Sequence, residues 1–210
     1  MNSSRFPTPF TDHPEGLVAI SDFMNVDLLI DAYENGIFPW PMQNMKEIPW
    51  FSPNPRGVIF FKQFHLSKSL QKFIKKNKFE IRFNNNFENV LKLCSQYHKE
   101  KNKGTWLNKA LIQNYTQLFH LGLCYSVEAY LEERLVGAIY GVKMNKYLSA
   151  ESMFSLEDNA AKVCLYSLIN HFKNNSDWID IQMVTPFTKS MGGEYISRED
   201  FFKLLKKSLH

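Results

Sequence analysis

The sequence predicts an α+β fold, a small N-terminal lobe packed on a mixed-sheet domain, and three observations predict it. Residues 1–57 are dense in proline and aromatics, as in Phe38-Pro39-Trp40-Pro41 and Pro49-Trp50-Phe51-Ser52-Pro53-Asn54-Pro55, a composition that forbids long regular structure. From Gly57 onward, short apolar runs alternate with amphipathic ones. Three consecutive β-like runs, Tyr125–Leu131, Leu135–Val142 and Tyr147–Phe154, are separated only by short polar turns, so they predict an antiparallel meander. The expected division is 1–57 for the lobe and 58–210 for the larger domain.

In order, Val26–Glu34 reads as the lobe's one helix and Gly57–Phe61 as a short strand. Leu66, Leu70, Phe73 and Ile74 recur at helical spacing. Phe79–Phe83 is a strand, and Phe87–Tyr97 and Lys109–Leu121 are helices, the second stopped by Gly122. After the meander, a helix Asn159–Phe172 leads to a strand Trp178–Met183, and Ser197 with Asp200 opens a last helix to Leu209.

Composition narrows the function. The 210 residues carry a net charge of +4, which permits a polyanionic partner without demanding one. Cys94, Cys124 and Cys164 are odd in number, widely spaced and set in apolar contexts, as expected of buried thiols in a reducing compartment. No Cys-x-x-Cys or His-x-x-x-His spacing occurs, so no metal is expected. No apolar run approaches the ~18 residues of a membrane span, and Met1–Phe10 lacks a signal core, so a cytoplasmic protein without membrane contact is expected.

Four groups of residues could carry chemistry. Asp180 and Gln182 share one face of their strand, where carboxylate and amide can hydrogen-bond each other and aim at one bound group; the same spacing fits the outer face of an ordinary half-exposed strand. Glu151 stands among small and apolar residues, which suits a pocket as well as a solvated strand end. Trp40 and Trp106, each in a turn-rich stretch, fit either stacking platforms for bases or core residues. Lys68, Lys72, Lys75 and Lys76 recur opposite the apolar stripe of their helix, as a solvated face or a phosphate footprint would. A coenzyme-A acetyltransferase needs a Gly-rich turn ahead of its helix; here Ser155-Leu156-Glu157-Asp158-Asn159 has no glycine and two acids.

Several strings then coincide in order and spacing: Gly36-Ile37-Phe38-Pro39-Trp40, Trp50–Arg56, Gly104-Thr105-Trp106, Val136–Gly141, Glu151–Ser155 and Ile179-Asp180-Ile181-Gln182. Together they resemble the signatures of the leucyl/phenylalanyl-tRNA–protein transferases, over nearly the whole chain. The resemblance implies an acetyltransferase-like catalytic domain. It implies transfer of leucine or phenylalanine, and methionine less well, from aminoacyl-tRNA to proteins with N-terminal Arg or Lys, marking them for degradation. It places Trp40 and Trp106 on the terminal adenosine with Tyr33 and Tyr115 lining the same region. Ile139 and Met153 fall in the apolar pocket for the aminoacyl side chain, and Glu151, Asp180 and Gln182 around the reacting centre. No cofactor is implied, because the ester is already activated, and a monomer is expected. A coenzyme-A-dependent N-acetyltransferase and a non-catalytic tRNA-binding protein of the same fold are the alternatives. Two stretches depart from the family pattern: Ser21-Asp22-Phe23, where a Gly-Gly pair and an acid are usual, and Pro186-Phe187 after the Asp-x-Gln string.

Overall fold

Proline density shapes the first part of the chain into short pieces. The computed structural model describes residues 4–41, 46–102 and 104–210; residues 1–3, at the head of the Met1–Phe10 segment read for a signal core, lie outside the described residues. Strands β1 (Leu17–Ser21), β2 (Phe38–Pro39) and β3 (Ile48–Phe51) form a small antiparallel sheet in the order β1-β3-β2. Helix α1 (Val26–Glu34) starts where expected, because the Asn25 side chain accepts the Leu28 N–H at 2.8 Å. Just past its end, Gly36 takes φ +66°. A Cβ at Gly36 would come within 2.7 Å of the Phe201 ring, so this glycine also admits the last helix.

Strand β4 (Arg56–Phe60) begins one residue before the expected Gly57 and is the middle of a second sheet. Its neighbours are β10 (Trp178–Gln182) and β11 (Gly193–Ile196), both antiparallel to it. The largest sheet runs β5 (Glu80–Phe83), β6 (Cys124–Leu131), β7 (Arg134–Met144), β8 (Tyr147–Leu148), with β9 (Ser152–Ser155) also paired to β7. The meander is therefore present, but its third strand, expected unbroken over Tyr147–Phe154, is interrupted. β7 pairs Lys143 with Leu148 but Tyr140 with Ser152, one residue out of register. Between them Ser149, still bonded to Val142 through its N–H at 2.9 Å, also bridges Asp180 in parallel sense, and the Ala150 N–H donates to the Asp180 carbonyl at 2.8 Å. Gly141 permits this crossing, because a Cβ there would collide with the Ser149 carbonyl oxygen.

Helices cover the sheets. They are α2 (Lys68–Lys75), α3 (Phe87–Asn102), α4 (Lys109–His120), α5 (Ala160–Phe172), the short α6 (Pro186–Ser190) and α7 (Arg198–Leu209). Asn108 and Ser197 cap α4 and α7 through their side chains. One apolar cluster runs from Leu29, Tyr33 and Trp50 of the N-terminal part into Val142, Trp178 and Phe201, so that part has no separate core. A second cluster, with Ile59, Val127, Leu165 and Ile179, includes α5. No helix among the described residues is long and apolar enough to cross a membrane.

Glu128, fully buried on β6, ties α3 to the large sheet. Its carboxylate accepts the Asn85 and Asn86 N–H groups, both at 3.0 Å, ahead of the helix N-terminus. The hydroxyls of Ser126 at 2.7 Å and Tyr130 at 2.8 Å complete the set. Glu128→Ala strands the buried hydroxyls of Ser126 and Tyr130, unpairs the Asn85 and Asn86 N–H groups, and is expected to cost ~3 kcal/mol. At about 2–4 °C per kcal/mol for a chain of this size, a thermal melt should fall by roughly 6–12 °C; an unchanged melt contradicts the assignment.

Candidate active site

The break between β8 and β9 and the end of β10, hydrogen-bonded to each other, open together onto a cavity of about 800 Å³. Ala150, Glu151, Ile181 and Gln182 line it from the sheets. Phe38–Pro41 line it from the N-terminal part, and Gly104–Trp106 with Tyr97 and His98 of α3 form another wall. Met183, Thr185, Phe187 and Thr188 contribute from the β10–α6 segment.

Glu151 is partly exposed and reaches this cavity. Ser149 Oγ donates to its Oε1 at 2.6 Å, and Tyr115 Oη to its Oε2 at 3.3 Å. Burial raises its pKa to about 7, with the Ser149 hydrogen bond opposing, so both protonation states are populated near neutrality. Tyr115 is held in turn by Tyr33, hydroxyl to hydroxyl at 2.7 Å. Both tyrosines are buried behind Glu151 and neither lines the cavity, although the resemblance places them along the adenosine site.

Gln182 sits at φ +55°, in the left-handed region, within a three-residue turn closed by Met183 N–H to Ile181 O at 2.5 Å. Its Nε2 donates to Glu151 Oε1 at 3.3 Å. Turning the amide over instead gives Nε2 the carbonyls of Ala150 at 3.0 Å and Ile181 at 3.1 Å, and presents Oε1 to Glu151. The first orientation suits an ionised Glu151 and the second a protonated one, which has an O–H to donate.

Asp180 differs from its expected role. Its carboxylate does not hold the Gln182 side-chain amide; it accepts the Gln182 backbone N–H at 2.9 Å. The cause is a register slip against β4 between Asp180 and Gln182, which breaks the simple alternation of faces. Asp180 is fully buried, off the cavity wall, and its main partner is Arg56. Arg56 Nε and Nη2 donate to its two oxygens at 2.9 and 2.7 Å, and Tyr147 Oη donates at 2.7 Å. In the sequence Arg56 appears only as the last residue of the Trp50–Arg56 string, with no role of its own.

Trp40 and Trp106 both line the cavity, partly buried, with their inner sides on the core. Met153 lines it as well. Ile139 lies opposite Met153 in the β7–β9 register but is fully buried in the second cluster, so it backs Met153 without reaching the cavity. Phe187, from one of the two departing stretches, forms part of the wall. His98 was not singled out in the sequence, where it is one polar residue on an amphipathic helix. Its Nε2 lies 2.9 Å from Ser152 Oγ and 3.1 Å from the Met153 carbonyl, and burial lowers its pKa. Lys68, Lys72 and Lys75 of α2 and Lys76 just past its end are exposed, away from the cavity lining.

The N-terminus of α5, where an acetyltransferase binds pyrophosphate, is already occupied by the chain itself. The Ala161 N–H donates to Ser155 Oγ at 3.1 Å and the Ala160 N–H to the Glu157 carbonyl at 3.1 Å. Asn159 caps the helix in a left-handed conformation, with no side-chain hydrogen bond.

Three antiparallel strands, a helix and a further strand define a mixed-sheet α+β protein whose strand break carries a carboxyl group on the cavity wall. Residues 58–206 match the family model described as leucyl/phenylalanyl-tRNA protein transferase, and residues 24–54 match the model of that family's N-terminal domain. The chain belongs to the leucyl/phenylalanyl-tRNA protein transferase family. A relative of that name from Sulfurimonas denitrificans is 42% identical over 203 residues, covering 96% of this chain and 88% of its own length. Another from Vibrio campbellii is 38% identical over 207 residues, covering 97% and 86%. Among solved structures, a conserved protein of unknown function from Bacteroides thetaiotaomicron shares the fold, with a TM-score of 0.51 at 12% identity over 66% of this chain and 54% of that one.

Proposed function

We propose that this protein transfers leucine or phenylalanine, and methionine less well, from aminoacyl-tRNA to the N-terminal Arg or Lys of proteins, marking them for degradation. On this reading it works as a cytoplasmic monomer without a cofactor. Residues 1–57 supply one wall of the site and 58–210 the catalytic domain. The observation that carries it is the meeting of Glu151 and Gln182 in a cavity walled by Trp40 and Trp106.

The reaction is aminolysis of an ester. The acceptor's α-amine attacks the carbonyl carbon, a C–N bond forms, and the bond from carbon to the ribose oxygen breaks. One proton leaves nitrogen and one reaches the ribose oxygen. An α-amine has a pKa of about 7.7–8.0, so a useful fraction is neutral at pH 7. Glu151, close to half-ionised there, takes the proton from nitrogen and returns it to the leaving oxygen. Gln182 follows the proton on Glu151 by the orientation of its own amide, donating to the carboxylate and accepting from the acid. Tyr115, backed by Tyr33, and Ser149 hold the carboxyl in place. Met153 and Phe187 give the aminoacyl side chain an apolar wall.

Incubation with radiolabelled leucyl-tRNA and a protein bearing N-terminal Arg tests this directly. Label on the protein is expected; label from acetyl-coenzyme A instead, or none, rejects it. Trp40→Ala and Trp106→Ala should each cost roughly 1–3 kcal/mol in kcat/KM if the rings stack on the terminal adenosine. A stability loss of ~3–5 kcal/mol at unchanged kcat/KM would mark them as core residues instead. Lys68, Lys72, Lys75 and Lys76 are proposed to meet tRNA phosphates. Lys68→Ala with Lys72→Ala should then flatten the salt dependence of aminoacyl-tRNA binding by roughly one unit per lost contact, and an unchanged slope moves the footprint elsewhere.

A further inference from the structure

Arg56 joins two walls of the cavity, and the reaction as written makes no use of it. The side chain is fully buried. On one side its fork holds both Asp180 oxygens, and Asp180 Oδ1 also accepts the Gln182 N–H. On the other side Nη1 donates to the Gly36 carbonyl at 3.1 Å, and the guanidinium lies 4.8 Å from the Phe38 ring centre. Phe38 immediately precedes Pro39 and Trp40 on the cavity wall. A third contact, 4.4 Å to the Phe201 ring, comes from α7.

We infer that Arg56 is a positioning residue that fixes two parts of the site at once: the Gln182 backbone through Asp180, and the Trp40 segment through Gly36 and Phe38. Gln182 adopts a backbone conformation that residues with a side chain avoid, so something must hold it there. The Asp180 carboxylate supplies that hold through Gln182 N–H. The Arg56 fork spans both Asp180 oxygens and sets the plane of the carboxylate, with the Tyr147 hydroxyl adding a second bond to Oδ2. Lysine cannot replace it, being a single point charge on a flexible stem that cannot serve two carboxylate oxygens and a carbonyl in one plane. The third bond, to the Gly36 carbonyl, carries the hold across to the N-terminal wall. The inference rests on the assignment of Gln182 and Trp40 made above.

Steady-state kinetics on Arg56→Lys, Asp180→Asn and the double variant, beside thermal melts, test it. Arg56→Lys is expected to lower kcat on the order of 10²-fold, as for a small misplacement of a reacting group, and also to raise KM for aminoacyl-tRNA, because it loosens both walls. Asp180→Asn is expected to lower kcat similarly with KM within about threefold of wild type, because it touches only the Gln182 side. The double variant should have a kcat no worse than Arg56→Lys, since the two act as one unit. A folded Arg56→Lys with kcat within about threefold of wild type overturns the inference, as do kcat losses that multiply in the double variant. Should Arg56→Lys not fold, Asp180→Asn decides alone: a kcat near wild type overturns the link, and a kcat loss at unchanged KM supports it. Gln182→Ala and Trp40→Ala run alongside as controls. Full activity in both would sink the site assignment itself, a different failure from that of Arg56.

Discussion

Glu151→Gln is expected to lower turnover by on the order of 10²–10³-fold while the protein stays folded. The substitution keeps the shape and the oxygen that accepts from Ser149, and removes only the capacity to take and return a proton. Wild-type activity should rise with pH through about 7, where the carboxyl ionises, and the variant should keep only the later rise of the acceptor amine at about 7.7–8.0. Stability should move the opposite way. A carboxyl whose folded pKa is raised above its unfolded value of 4.5 contributes stability that is fully present below that value and is lost as pH rises through about 7. The variant has no such loss, so it should gain on wild type between pH 4.5 and 7, by up to roughly 3 kcal/mol. Melts at both ends of that range, with kinetics beside them, read both effects. Wild-type turnover in the variant would leave Glu151 without a part in the chemistry.

Asp180→Ala is expected to show the largest loss of stability. It leaves the Arg56 guanidinium buried without its counter-charge, at a cost of about 3–5 kcal/mol, or roughly 6–20 °C in the melt. The combination of Arg56→Met with Asp180→Leu removes both charges and should recover most of that stability. It should not recover turnover, because nothing then holds the Gln182 N–H. A single variant that melts like wild type would mean that water reaches Arg56. A double variant with wild-type turnover would mean that the pair serves stability alone.

Local signals made much of the fold legible. Asn25, Asn108 and Ser197 mark helix starts by side-chain hydrogen bonds made within three residues, so the sequence displays them. The β6–β7 hairpin is also local, although its turn is built from Glu132 and Glu133, both at positive φ, where Asn-Gly is the usual choice. The small sheet β1-β3-β2 was hidden, because Pro39 and Pro49 lie within its strands and proline argues against a strand. The interruption at Ser149–Glu151 was hidden for another reason: residue types still alternate through a one-residue slip, and only the partner strand shows it. In the site, the resemblance supplied Glu151, Asp180 and Gln182 but not their contacts. Asp180's partner lies 124 positions away and Tyr33's lies 82 away, separations at which no local pattern operates.

That separation also has a consequence for biosynthesis. Translation at about 5–20 residues per second puts roughly 6–25 s between the synthesis of Arg56 and that of Asp180. Until the second appears, the first has no counter-charge, and burying it early is unfavourable. The nascent segment around Arg56 must therefore keep this cation hydrated while the later strands are made. Phe201, whose ring closes over the guanidinium, follows later still. A growing chain thus gains its working centre only once position 180 has been made, and ribosome-bound intermediates stalled ahead of it should be inert towards charged tRNA.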